Sequence, residues 1–201
     1  MGVPVVIAAA YLVGAIPFSN IAARRTRGVD LRHVGTGTVS GTSLYKVAGF
    51  VPLAVAGVFE VAKGAVGPAL AGDRALLAAV AGGVAVIGHD WSPFLRGAGG
   101  RGVAPTLGAL IVNAWPGAAL VGVAMLVGWA TKQTGLGTFI GMVLLVPVLG
   151  ALYGGSGAIV GVAVAAPMFV KRMVGNARPV DGRAPTYVTR LVFDRDAVQQ
   201  A

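Results

Sequence analysis

Seven apolar runs, separated by short polar or basic stretches, make up most of this sequence of 201 residues. They cover residues 3–23, 47–71, 75–88, 102–114, 116–131, 136–152 and 156–170. Charged residues account for only 11% of the chain, whereas an ordinary soluble domain carries roughly 25%. A segment in lipid must satisfy its own backbone hydrogen bonds, which favours helices. The sequence therefore predicts an all-α integral membrane protein with about seven membrane helices, of which the short fourth could be re-entrant.

Arginine and lysine are distributed unevenly between the loops that join these runs. Seven crossings would leave only Arg74 on one side of the membrane. The other side would receive Arg24, Arg25, Arg27, Arg32, Lys46, Arg96, Arg101, Lys132, Lys171, Arg172 and the basic tail. Short loops rich in these residues mark the cytoplasmic face. The pattern predicts an outside N-terminus and an inside C-terminus, with the protein in the plasma membrane.

The two ends of the chain give further expectations. The basic cluster RRTRG follows the first apolar run and no basic residue precedes it, which predicts an anchor and not a cleaved signal peptide. Residues 1–175 are predicted to form one membrane domain. Residues 176–201 are predicted to form a polar cytoplasmic tail, in which Pro179 and Pro185 should break any helix.

Three polar stretches fall on the predicted cytoplasmic side. The first is GVDLRHVGTGTVSGTSLYKVAG (28–49), the second is GHDWSPFLRGAGGRGVAP (88–105), and the third is KRMVGNAR (171–178). Glycines free the backbone to turn its N–H groups toward an anion, and hydroxyls add donors. A helix starting near Val103 would point its positive end at the same place. These stretches predict a site for two phosphates, although flexible turns carrying positive-inside arginines would show the same composition.

The charged pair Glu60 and Lys63 lies three residues apart within the second apolar run, on one helix face. Charges inside a membrane helix are costly and face the bundle interior or a pathway. The pair could brace the bundle, or Lys63 could reach the polar site. The chain has no cysteine, Walker loop or helical HExxH motif. We expect no metal, no cofactor and no nucleic-acid partner.

The sequence resembles a known family at four motifs taken in order. YLVGAIPFSN followed by GVDLRHVGTGTVSGTS is similar to the family pattern YLLGSIPFG and GxDxRxxGSGNxGATN. GHDWSPFLRGAGGRGVAP matches GHxxPxFxxFKGGKGVAT without a gap, and residues 60–64 are similar to LDxxKG. Arg172, Met173 and Asn176 correspond to RHxxN. These motifs are typical of the bacterial acyl-phosphate-dependent glycerol-3-phosphate acyltransferases, the PlsY family.

The resemblance implies a reaction and a set of site residues. The family transfers a fatty acyl group from acyl phosphate to the 1-hydroxyl of glycerol 3-phosphate, giving lysophosphatidic acid and phosphate. The partners would be these two substrates and membrane lipid, with the site on the cytoplasmic face. The catalytic residues implied are Thr36, Lys46, Arg101 and Asn176. The phosphate-binding residues implied are Gly35, Gly37, Thr38, Thr42, Ser43, Lys63, His89, Gly99, Gly100 and Gly102.

Several motif positions depart from the family pattern. Thr36 stands for a serine, Lys46 for an arginine and Arg101 for a lysine, which keeps a hydroxyl or a positive charge at each. Ala98 stands for a lysine and Met173 for a histidine, which keeps neither. Two alternatives therefore stay open, a catalytically drifted relative and a small transporter of an anionic solute. A coenzyme A-dependent enzyme is disfavoured, because Phe94 stands where the aspartate partner of His89 would be.

Overall fold

The computed structural model describes residues 1–176 and 184–195, and within them all regular structure is helical. Short 3₁₀ turns occur at Leu31–His33 and Pro93–Leu95. The α-helices are α1 Val3–Gly14, α2 Phe18–Arg27, α3 Gly41–Ala48, α4 Phe50–Ala71, α5 Ala75–Asp90, α6 Val103–Asn113, α7 Trp115–Ala130, α8 Thr134–Val174 and α9 Ala184–Phe193. The prediction of an all-α membrane fold is confirmed for the part of the chain that the structure describes.

Four helical stretches are long and apolar enough to cross a membrane. They are Val3–Arg27, which joins α1 to α2, and Phe50–Ala71, Ala75–Leu95 and Thr134–Val174. The helices α6 and α7 are apolar but shorter. With a rise of about 1.5 Å per residue, α6 is roughly 16 Å long, about half the thickness of a bilayer core. The number of crossings and the orientation of the termini stay predictions.

The long helix α8 is a hairpin of two antiparallel halves. Gly154 has φ 65° and ψ −149°, a conformation that glycine adopts easily and that interrupts the helix. A Cβ on Gly161 would lie 3.0 Å from the Cα of Val146. At the far end, Arg172 Nη1 donates to the carbonyl of Gly135 at 3.0 Å. The chain therefore reverses at Gly154, between the predicted segments 136–152 and 156–170.

Close helix packing depends on glycine at several positions along the bundle. A Cβ on Gly83 of α5 would overlap the carbonyl of Ala163 in α8, and one on Gly88 would overlap the carbonyl of Tyr11. A Cβ on Gly64 of α4 would overlap the carbonyl of Pro105 in α6. These glycines let the backbones approach one another, as small residues do in membrane bundles. By contrast, a Cβ on Gly122 would have no neighbour within 4 Å, so this position does not need glycine.

The two ends of the bundle carry different loops. At one end, Arg74 Nη1 donates to the carbonyl of Met1 at 3.0 Å, and Asn113 Nδ2 donates to the carbonyl of Ala78 at 3.2 Å. The other end carries the glycine-rich loops and the end of α8. The polar residues singled out in the sequence are thus gathered at one end, which positions a site there.

A short helix in the C-terminal region corrects one expectation. Residues 184–193 form α9, so the expectation that Pro185 breaks any helix is wrong. Pro185 lies in the first turn of α9, where a backbone N–H has no helical partner and proline is tolerated. Pro179 lies outside the described residues. The proposed boundary at residue 175 stays a prediction.

Candidate active site

The first glycine-rich loop is anchored by the carboxylate of Asp30. Arg32 Nη2 lies 2.7 Å from Asp30 Oδ2, and Arg24 forms an ion pair with the same oxygen. The contact with Arg32, with that of Arg24 added to it, holds the pKa of the Asp30 carboxyl well below its usual range, while burial opposes the shift. The same contact raises the pKa of Arg32. Arg32 Nη1 also donates to the carbonyl of Leu95 at 3.4 Å, which links this loop to the second one.

Glycine and hydroxyl residues shape the turn that follows. Gly35 and Gly37 have φ of 55° and 69°, so the chain turns where a larger side chain would be strained. The hydroxyls of Thr36 and Thr38 lie 3.0 Å apart, and Ser43 Oγ donates to the carbonyl of Thr38 at 2.9 Å. Thr36 is exposed and Thr38 is buried. The turn therefore exposes Thr36, and the buried Thr38 lies behind it with its hydroxyl within hydrogen-bond distance of the Thr36 hydroxyl.

The second glycine-rich loop packs directly on the end of α5. Gly99 and Gly100 are buried, and Gly100 N donates to the carbonyl of His89 at 3.2 Å. A Cβ on Gly99 would overlap the carbonyls of His89 and Asp90. Gly102, with φ 74°, directly precedes α6, which begins at Val103 as predicted. The start of α6 therefore lies under this loop.

Asn176 joins the two loops. Its Nδ2 donates to the carbonyl of Gly37 at 2.9 Å and to the carbonyl of Gly99 at 2.8 Å, and its Oδ1 accepts from Gly99 N at 3.2 Å. A direct bond from Val39 N to the carbonyl of Gly99 at 3.1 Å adds to this connection. The structure thus brings all three predicted stretches together, and the amide of Asn176 lies at their junction. Residues 177 and 178 of the third stretch lie outside the described residues.

A buried ionic cluster supports this junction from within the bundle. Glu60 Oε2 lies 2.6 Å from Lys63 Nζ and 3.1 Å from His89 Nδ1, and Glu60 Oε1 accepts from the hydroxyl of Ser19 at 3.0 Å. Lys63 Nζ also donates to the carbonyl of Ile16 at 2.7 Å. These contacts favour the interpretation of Glu60 and Lys63 as a brace between α2, α4 and α5. His89 is held by Glu60, and its Nε2 faces Gly100.

Arg101 lies in a second buried charged region below the same loop. Its Nε lies 2.8 Å from Asp194 Oδ1, and its Nη1 donates to the carbonyl of Lys171 at 3.1 Å. Asp90 is fully buried in the same region, and the positive charges of Lys171, Arg101 and Lys63 act on its carboxylate. The Nζ of Lys171 lies over the ring of Trp91, 5.0 Å from its centroid. The predicted catalytic residue Arg101 is therefore in contact with the C-terminal region of the chain.

Other positions in the motifs are exposed to solvent or carry no polar group. Thr42 and Lys46 are exposed on α3, and Gly35 is exposed at the turn. Met173 is exposed, while Ala98 packs against the apolar cluster that includes Leu31 and Leu95. Within the described residues, no group of three His, Cys, Asp or Glu side chains is placed to hold a metal ion.

Sequence reasoning missed three residues that shape the site. Asp30 could have been found, because a carboxylate between Arg24 and Arg32 has close cations on both sides. Ser19 gave no signal, since a hydroxyl in an apolar run is common in membrane helices. Asp194 also gave no signal in the sequence, because its contact with Arg101 depends on the position of α9.

Comparison with known proteins identifies the class to which this fold and site belong. The family model for glycerol-3-phosphate acyltransferase matches residues 4–179. This range includes both glycine-rich loops and Asn176. The chain therefore belongs to the glycerol-3-phosphate acyltransferase family, and the resemblance inferred from the motifs is confirmed.

Individual relatives agree with this assignment. Glycerol-3-phosphate acyltransferase 4 of Dehalococcoides mccartyi (strain CBDB1) is 37% identical over 75% of this chain and 66% of its own length. The glycerol-3-phosphate acyltransferase of Synechococcus sp. (strain CC9902) is 35% identical over 82% of this chain and 84% of its own length. The chain thus spans just under two thirds of the first relative.

A solved structure has a similar fold. It is the crystal structure of PlsY, an integral membrane glycerol 3-phosphate acyltransferase, in its glycerol 3-phosphate form. The TM-score is 0.77 with 23% sequence identity, over 85% of this chain and 88% of that chain. At this identity the likeness shows that the two proteins share their fold.

Proposed function

We propose that this protein transfers a fatty acyl group from acyl phosphate to the 1-hydroxyl of glycerol 3-phosphate, giving lysophosphatidic acid and inorganic phosphate. Membership of the glycerol-3-phosphate acyltransferase family supports the acceptor and the reaction type. The motifs typical of the acyl-phosphate-dependent family support the donor.

The observation that carries the proposal is the junction at Asn176. Its amide binds the backbone of both glycine-rich loops and so holds the two loops side by side. Two anionic substrates must be held together for the acyl group to pass between them. Four residues are proposed to contact the reacting groups: Thr36, Lys46, Arg101 and Asn176. A second set is proposed to bind the substrate phosphates: Gly35, Gly37, Thr38, Thr42, Ser43, Gly99, Gly100 and Gly102. His89 and Lys63, which belong to the buried ionic cluster, support these loop residues.

The chemistry suits such a site. Acyl phosphate is a mixed anhydride, so its carbonyl carbon is already activated. The acceptor hydroxyl forms a new C–O bond at this carbon, the bond from carbon to the phosphate oxygen breaks, and the hydroxyl proton passes to the departing phosphate. The protein supplies positioning and stabilisation of negative charge by N–H donors and cations. Neither a covalent enzyme intermediate nor a cofactor enters this scheme.

An amphipathic cleft beside the first loop suits a lipid donor. It has a volume of about 370 Å³ and lies between α2 and the turn at Pro93–Leu95. Apolar side chains such as Ile16, Ile21 and Phe94 line it together with Arg24 and Arg32. An acyl chain and a phosphate on one molecule need this combination of surfaces.

Purified protein with palmitoyl phosphate and labelled glycerol 3-phosphate should form labelled lysophosphatidic acid. Palmitoyl-CoA in a phosphate-free preparation should give none, because the site holds phosphates and His89 lacks the partner of coenzyme A-dependent enzymes. Thin-layer separation of the labelled lipid measures both reactions in parallel. Product from palmitoyl-CoA alone would contradict the proposed donor.

A second candidate, a catalytically drifted relative, is favoured by two positions. Ala98 and Met173 lack the donors that the family pattern carries there, and Ala98 packs in an apolar cluster. Absence of turnover with both donors, in protein that still binds glycerol 3-phosphate, would establish this alternative.

We also propose that the site faces the cytoplasm in the plasma membrane, with the N-terminus outside and the C-terminus inside. The segregation of basic residues supports this orientation. Reporter domains fused after Ala201 and inserted in the loop at residues 72–74 should report opposite sides of the membrane. A C-terminal reporter that is active only outside the cell would overturn the orientation and the placement of the site.

A further inference from the structure

The C-terminal region reaches the glycine-rich site through one side chain. Asp194 Oδ1 lies 2.8 Å from Arg101 Nε, and only 8% of the Arg101 side chain and 26% of the Asp194 side chain are exposed. The Nη1 of Arg101 donates to the carbonyl of Lys171 at 3.1 Å. The ion pair at Nε and the hydrogen bond at Nη1 together restrict where the guanidinium group can lie.

Asp194 itself is held by the docking of α9 on α8. Arg172 Nη1 donates to the carbonyls of both Gly135 and Leu191, at 3.0 Å and 3.1 Å. Arg190 Nη1 donates to the carbonyl of Val174 at 3.2 Å. A Cβ on Gly135 would overlap the carbonyl of Phe193, so the end of α9 lies directly against α8. The position of the Asp194 carboxylate is therefore set by the bundle.

We propose that Asp194 is a positioning residue for Arg101, and that α9 is part of the active site. The inference rests on the proposed function, in which Arg101 acts on the reacting groups, among them the phosphate of the acyl donor. The Nη2 group of Arg101 donates to none of the described residues, so it is the part of the guanidinium left for an anion. A guanidinium binds phosphate well only in a defined orientation, because its N–H groups form a rigid fork.

A role for Asp194 as a competitor of the substrate phosphate predicts the opposite change in substrate binding. A carboxylate that merely occupied the phosphate position would compete with substrate, so its removal would strengthen substrate binding. In the positioning role, removal frees the guanidinium to rotate and weakens binding. Asp194 contacts Arg101 at Nε and leaves the Nη2 group to an anion, which favours the positioning role.

Replacing Asp194 with asparagine tests the proposal in the full-length protein. We expect KM for glycerol 3-phosphate or for palmitoyl phosphate to rise about 10- to 30-fold, the lower part of the range for one charge-assisted contact. Asp194→Glu should recover most of the loss. Asp73→Asn, at an exposed carboxylate in the loop between α4 and α5, should change neither constant. A lower KM in Asp194→Asn would overturn the proposal in favour of competition.

A double-mutant cycle shows whether Asp194 acts through Arg101. Arg101→Lys removes the planar fork but keeps the charge. If Asp194 only orients that fork, Asp194→Asn should cost little in the Arg101→Lys background, and the two effects should not add. Additive effects would overturn the positioning role, since they would show that the two residues act independently.

A chemical readout separates this inference from the proposed function, because it needs no turnover. Phenylglyoxal modifies accessible guanidinium groups, and mass spectrometry measures modification at Arg101. Asp194→Asn should increase modification of Arg101 several-fold, while Arg24 should react equally in both proteins. Unchanged modification of Arg101 would overturn the inference even in an active enzyme. Increased modification in a protein without acyltransferase activity would uphold the contact and reject the proposed function alone.

Discussion

Replacing Asn176 with alanine should lower kcat/KM for acyl transfer about 10- to 1000-fold, because three hydrogen bonds worth roughly 0.5–1.5 kcal/mol each are lost. These bonds are the ones from the Asn176 amide to Gly37 and Gly99. Without them, the two loops are joined mainly by the bond from Val39 N to the Gly99 carbonyl and the weak contact of Arg32 with Leu95. Steady-state kinetics with both substrates measures the effect.

A matched control is available at the other end of the bundle. Asn113 Nδ2 donates to the carbonyl of Ala78 at 3.2 Å, so Asn113→Ala also removes an amide-to-carbonyl bond between helices. Its kcat/KM should stay within about twofold of the wild type, because surface or remote changes act mainly on stability. Thermal unfolding in detergent should show both variants folded. If Asn176→Ala keeps normal kinetics, the junction is not needed for activity and the proposed site is in the wrong place.

The membrane segments could be predicted because their cause is local. An apolar run of suitable length forms a helix in lipid whatever surrounds it, and basic loops mark the ends. The reversal at Gly154 fell between two predicted segments for the same reason, since a glycine with φ 65° permits the turn there. The start of α6 at Val103 followed from the glycines before it.

The approach of the two loops could be suggested from sequence, but its details could not. Glycines and hydroxyls on one side of the membrane predicted a shared anion site. The bonds of Asn176 span 139 residues to Gly37 and 77 residues to Gly99, and no local pattern encodes such contacts. The motif resemblance singled out Asn176, while its role as the junction came only from the structure.

The contacts of Lys63 and His89 could not be predicted from the sequence. The sequence leaves open whether Lys63 braces the bundle or reaches the polar site, and its contacts with Glu60 and the Ile16 carbonyl support the brace. His89 lies against the same carboxylate through Nδ1, at 3.1 Å. Residues 60 and 89 lie on different helices, so only packing of α4 against α5 could reveal this cluster. A charged group inside a membrane protein needs such partners.

Replacing Gly100 with alanine should lower kcat/KM about 30- to 1000-fold, corresponding to roughly 2–4 kcal/mol of transition-state stabilisation. A Cβ at this position would overlap the imidazole of His89 and lie 2.8 Å from the carbonyl of Val39. The imidazole cannot swing away freely, because Glu60 holds its Nδ1. The added methyl group must therefore push the second loop away from the first.

The comparison with Gly122→Ala separates this collision from a general effect of losing glycine. A Cβ on Gly122 in α7 has no neighbour within 4 Å, and alanine favours a helix over glycine. Gly122→Ala should therefore leave kcat/KM unchanged and should not lower the unfolding temperature. Gly100→Ala should still insert and fold, since its contacts lie at the end of the bundle and not among the membrane helices. Equal activity of the two variants would show that the loops tolerate separation, and that the backbone of Gly100 does not approach a substrate phosphate.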